Sequence, residues 1–159
     1  MQKSLKHIFF LLVVLSALSC LLPACKVAKS LKDNQSLLVK NKFIYKTKLK
    51  AADRDKVKDD IAQIVIQKPN RKFFGFLPFR MWLYHNASHS KKLTKFKQFI
   101  IDKVGEPPVV YDSSLLYKSK INIENYLFNY GYFYSVVSDS VITNKKKTTI
   151  IYTIEPKEL

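Results

Sequence analysis

From Leu37 onward apolar and polar positions alternate, with Leu37, Val39, Phe43 and Tyr45 on one side and Lys40, Lys42, Lys46 and Lys48 on the other. That period of two predicts a half-buried strand. Its lysine row could grip phosphates, but it reads as a solvated face on an edge strand kept from pairing with copies of itself. The spacing then lengthens: Val57, Ile61, Ile64 and Val65 form a helical stripe that Asp53 can cap and Pro69 ends. Asp53, Asp55, Asp59 and Asp60 lie in its first two turns, a helix surface rather than an acid/base pair. A second stripe, Leu93, Phe96, Ile100 and Val104, ends at Gly105, and its apolar side is expected to pack in the core. A third, Leu116, Ile123, Leu127 and Tyr130, follows the capping residues of "DSSLLY" and closes on a glycine C-cap at Gly131. Beyond it, "YFYSVVSDSVITN" and "TTIIYTIEP", joined by "NKKK", predict a β-hairpin, with Ile150, Tyr152 and Ile154 alternating with Thr149, Ile151 and Thr153.

Between the first two stripes, "PNRKFFGFLPFRMWLYHNASH" keeps no period, because Gly75 and Pro78 interrupt it. Its rings must be covered by something. Either they fold under the domain as an insertion, or Phe73, Phe74, Phe76, Trp82 and Tyr84 stay exposed as a partner or membrane-surface patch flanked by Arg71, Lys72 and Arg80. His85 and His89 have the spacing of a helical chelate but no third ligand, so no metal site is expected. The other aromatic run, "NYLFNYGYFYSV", suggests a base-stacking platform in a chain of formal charge +16. Because it straddles a predicted helix end and strand start, Tyr126, Leu127 and Tyr130 are expected to reach the sheet and Phe133 to fill the corner. The stacking idea then loses its support.

Charge and leader decide the compartment. "MQKSLKHIFFLLVVLSALSCLLPAC" runs from a basic start through an apolar stretch to small residues, the order of a secretory signal over residues 1–24. Its end, "LLPAC", resembles a bacterial lipobox, which implies a lipid thioether on Cys25; Cys20, in "LSALSC", is the competing position. Residues 25–36, "CKVAKSLKDNQS", are polar and basic and read as a flexible tether. Removing Lys3 and Lys6 leaves 26 basic against 12 acidic residues, or +14, on the exported chain. In a cell envelope the anions available to such a surface are lipid head groups, lipopolysaccharide and acidic protein, not nucleic acid. Neither a nucleophile elbow nor a phosphate loop is present, so no catalytic residue, cofactor or metal is expected.

The order strand, helix, helix, hairpin, together with "VGEPPVVYD", "SKINIENYLFNYGYFYSVV" and "TTIIYTIEP", resembles a POTRA domain, the periplasmic module of BamA/TamA-family outer-membrane assembly proteins. "QKPNRKFFGFLPFRMWLYHN" and the lipidated cysteine are similar to TamL-type lipoproteins of Bacteroidetes. The resemblance implies an α+β fold, β-α-(helical insertion)-α-β-β, with a small mixed sheet packed against helices. The domain would span residues 37–156, with the insertion at about 69–104. It also implies a non-enzymatic protein, lipid-anchored in the envelope and facing the periplasm, that binds outer-membrane polypeptides or assembly proteins. An extended peptide would add to the edge strand at Val39, Lys40, Asn41, Lys42 and Phe43. The β-barrel of such proteins would not reside in a chain that stops at Leu159. A basic lipoprotein that binds anionic lipid or lipopolysaccharide is the alternative.

Overall fold

In a computed structural model the described residues are 23–47, 49, 54–75 and 77–157. The leader up to residue 22, Lys48, the Asp53 cap and Phe76 lie outside them. The elements are α1 (Pro23–Ser30), β1 (Leu37–Tyr45), α2 (Arg54–Ile64), α3 (Phe79–Ser88), α4 (Lys95–Phe99, running on as a π-helical turn to Val104), α5 (Ser113–Asn129), β2 (Val136–Asn144) and β3 (Lys147–Glu155). They divide into two compact units, one holding the chain up to Leu31 and Asn70–Pro108, the other Lys32–Pro69 and the chain from Val109.

The second unit is the expected α+β fold. Its sheet has the order β1-β3-β2, with β1 parallel and β2 antiparallel to the central β3. Strict alternation along β3 buries Thr148, Ile150, Tyr152 and Ile154, and the last three meet Val57, Ile61 and Val65 from the α2 region and Leu116, Ile123 and Leu127 from α5. Burying these aliphatic side chains contributes about 1.5–3 kcal/mol each. Both helix stripes therefore lie where their spacing predicts.

Each end of α5 is closed by its own residues. Asp112 caps the start, its carboxylate accepting from the Ser114 amide and hydroxyl at 2.7 Å, and these bonds hold its acid below the usual carboxylate range. At the other end Tyr132 N–H donates to Leu127 O at 2.9 Å and Gly131 N–H to Phe128 O at 3.1 Å, a Schellman closure with Gly131 at φ 98°. Tyr132 and Leu127 are both buried. It is Tyr132, then, that fills the corner expected of Phe133, which is exposed and meets Phe128 edge-on.

Buried polar residues pin the segments that the stripes leave loose. Gln67 donates to Val110 O and accepts from the Asp112 amide at 3.1 Å, while its own carbonyl accepts from Asn41 Nδ2 at 2.8 Å. Ser119 accepts from the Ile66 amide at 3.1 Å. Thr148 joins Ser36 and Thr143 through hydroxyl contacts of 2.6 and 2.8 Å, tying β3 to β2 and to the residue just before β1.

In the first unit α1 and α4 pack on α3. Where a flexible tether is expected over residues 25–36, residues 23–30 are helical and bury Val27 and Ala28. Two adjacent small apolar residues among lysines are too short a stripe to announce a helix, yet suffice to seat one. Gly105 closes α4 by donating to Ile100 O, and a Cβ there would lie 2.9 Å from both that oxygen and Tyr84 Cβ. Only glycine allows this approach of the π turn to α3. Of the second stripe, Leu93 and Phe96 are exposed and Ile100 and Val104 half-buried, so the core packing expected of it is only partial.

Candidate functional site

A mixed three-stranded sheet has two edges, and they differ here. On β1, Leu38 N–H donates to Val109 O at 2.8 Å and the Tyr111 amide to Ser36 O, so the first part of this edge is already occupied. Farther along, Lys40 and Lys42 are exposed, Val39, Asn41 and Phe43 half-buried, and Phe43 stacks on Tyr152 at 5.4 Å. On β2, every residue from Ser138 to Asn144 is exposed. Among the described residues nothing besides β3 pairs with it.

Register fixes which β2 groups face outward. The two-residue turn at Lys145 and Lys146, with φ of 48° and 60°, closes on the pair Asn144–Lys147. In an antiparallel hairpin of this kind the closing pair is hydrogen-bonded and the pattern alternates. Hence the amides of Ile142, Ser140 and Ser138 point to β3, and those of Thr143, Val141 and Asp139 point away.

Beside β2 lies the flank of α5. Lys120 pairs with Asp139 at 2.9 Å, whereas Tyr126, on the opposite flank, donates to Asp60 on α2 at 2.7 Å. A turn of 100° per residue puts Tyr117, Ile121 and Phe128 in one stripe on the Lys120 side. All three are exposed. A half-open hydrogen-bonding ladder thus stands next to apolar side chains, with the chemistry to hold an extended chain.

The family model described as POTRA, surface antigen variable number repeat, matches residues 91–157. Residues 91–157 are thus similar to a POTRA domain. The matched span takes in α4, α5, β2 and β3, and therefore both β2 and its apolar neighbour; β1, which completes the sheet, and α2 precede it. Searches of curated proteins and of solved structures found no match to the chain.

The remaining sequence expectations separate by position. Cys25 falls on the backbone of α1. Phe73 and Phe74 are exposed, Trp82 and Tyr84 half-buried, all in the first unit rather than with the sheet edge. His85 and His89 stand with ring centroids 4.2 Å apart, and the His89 Nδ1 lies 3.0 Å from His85 O at the helix end. Burial, then the neighbouring His89, keeps His85 below its ordinary pKa. Among the described residues no three potential ligands gather around a metal position. Sequence reading missed the β2 edge and the α5 stripe. The i, i+4, i+11 spacing of Tyr117, Ile121 and Phe128 was the available signal.

Proposed function

We propose that the chain is a non-enzymatic periplasmic module of outer-membrane protein assembly, anchored through a lipid on Cys25, that binds extended outer-membrane polypeptides or assembly partners by strand addition. The POTRA match supports the class of function, and the unpaired edge of β2 beside the α5 stripe is the observation that carries the mode. Backbone hydrogen bonds would supply affinity with little sequence preference, and alternate side chains of the added strand would rest on Tyr117, Ile121 and Phe128. Of the two edges, Val39–Phe43 on β1 is the shorter candidate, because the Leu38 amide beside it is already taken. A short added strand makes few net hydrogen bonds at about 1 kcal/mol each, so Kd should be roughly micromolar or weaker. Similarity of the aromatic segment to TamL-type lipoproteins of Bacteroidetes extends this reading to a lipoprotein of the outer membrane.

An NMR titration with an extended peptide from an outer-membrane strand tests it. Amides of Asp139, Val141 and Thr143 should shift, and Val141→Pro, which spares the bonds to β3, should abolish binding while the fold persists. Shifts confined to Lys40–Phe43 would move the site to β1. Shifts in neither strand would refute strand addition. Intact mass of the membrane-extracted protein, showing diacylglycerol on Cys25, checks the anchor.

A further inference from the structure

The first unit carries an apolar surface that strand addition leaves unused. Phe73 packs edge-on against Phe74 at 4.4 Å and lies 6.5 Å from Phe79, which stacks on Trp82 at 5.9 Å. These rings form one chain, yet Phe73, Phe74 and Phe79 are 60, 79 and 49% exposed. The most exposed of them is also the most strained. Phe73 and Leu77 exchange backbone hydrogen bonds across a tight loop, in which Phe74 sits at φ 51° and Gly75 at φ 77°. A bulky residue adopts positive φ at a cost, and such strain concentrates where a side chain is held for contact. Here it holds a phenyl ring at the tip of a turn.

The charge around the rings selects the occupant. Residues 70–108 contain eight basic residues, Arg71, Lys72, Arg80, Lys91, Lys92, Lys95, Lys97 and Lys103, against Asp102 and Glu106. Both acids are engaged locally, Asp102 by Gln98 Nε2 at 2.9 Å and Glu106 by the Arg71 amide at 3.3 Å. Arg71 and Lys72 directly precede the Phe73–Phe74 pair, and Arg80 lies between Phe79 and Trp82 in sequence, its Nε donating to Val104 O at 2.8 Å. Exposed Phe rings beside a half-buried Trp, bordered by Arg and Lys, match a bilayer surface, where rings enter the acyl boundary and cations meet anionic head groups.

We propose that this patch seats the first unit on an anionic phospholipid bilayer, with Phe74 as the inserted tip and Trp82 at head-group depth. The patch is independent of the proposed lipid on Cys25. A seated patch fixes one face of this unit against the bilayer.

Trp82 is the single tryptophan of the chain and reports the contact directly. The full chain is mixed with vesicles of phosphatidylglycerol carrying brominated acyl chains, and in parallel with brominated phosphatidylcholine vesicles. In phosphatidylglycerol, Trp82 emission should move to the blue, be quenched by bromine and be shielded from iodide; in phosphatidylcholine it should stay open to iodide. Phe74→Ser should weaken vesicle affinity about tenfold, the effect of losing one buried ring. Arg71→Glu with Lys72→Glu should remove the preference for phosphatidylglycerol, and rising salt should do the same. Both variants lie on exposed positions, and a circular-dichroism melt verifies that they fold. Trp82 remaining open to iodide on phosphatidylglycerol, quenching unchanged by Phe74→Ser, or a Trp82 response to outer-membrane peptide in place of vesicles would each overturn the proposal. The two vesicle outcomes leave strand addition untouched, because Trp82 lies in the first unit and β2 in the second; a peptide response at Trp82 would count against both readings.

Discussion

Gly131 and Tyr45 show how single residues constrain the fold for different physical reasons. At Gly131 an added Cβ would meet nothing within 4 Å, so a side chain there meets no steric obstacle from its neighbours. The penalty is conformational, since φ is 98°. Gly131→Val should therefore cost about 1–2 kcal/mol, read as a lower urea midpoint with unchanged slope. For Tyr45, burial first and the Asp59 charge second push the phenol up to about 12. An unfolded tyrosine titrates near 10. The fold favours the neutral form, so this contribution is complete below about pH 10 and is lost as pH rises through about 12. Among the described residues the Tyr45 hydroxyl has no hydrogen-bond partner. Tyr45→Phe should consequently change stability little at about pH 7 and protect the protein at about pH 11, checked by urea melts at both values.

At the scale of elements, side-chain period carries much of the design and polar pins carry the remainder. The stripe of Val57, Ile61 and Val65, the alternation along β3 and the glycine stop at Gly131 are legible in the sequence, because each depends on residues within a turn or two of one another. Gln67 is not. Its value comes from Val110 and Asp112, more than forty residues on, and nothing local distinguishes it from a surface glutamine. Gln67→Leu would leave the Asp112 amide and the Val110 carbonyl without these partners, at about 1–3 kcal/mol for each group left unsatisfied, measurable by thermal or urea unfolding. The exposure of Leu93 and Phe96 is illegible for a related reason: periodicity shows that residues share a face, not what covers it. The same holds for the candidate surfaces. Rings from Phe73 to Tyr84 stand out in the sequence as unplaced, but only the folded chain shows Phe74 at a turn tip and β2, rather than β1, as the less obstructed edge.

At the scale of the whole chain, the order in which the strands appear matters as much as their pairing. β3 is the middle strand of the sheet and the last in sequence, and its first residue, Lys147, sits opposite Leu37 in the parallel ladder, 110 positions away (147 minus 37). Contacts that distant close slowly, since the loop between them must be ordered before they form. On the export route proposed above, the N-terminus crosses the membrane first. β1 then arrives in the periplasm long before the strand that completes it, as an orphan with both edges bare. Its lysines, which look redundant in the finished sheet, would be most useful during that interval, when a naked strand can pair with any other. A chain ended at Lys146 should thus show β1 amides exchanging with deuterated solvent at the rate of an unstructured peptide, against strong protection in the full chain; protection in the shortened chain would mean that β1 finds a partner without β3. On that route the sheet would act as a timer, with translocation rather than local propensity setting the moment at which the domain becomes itself.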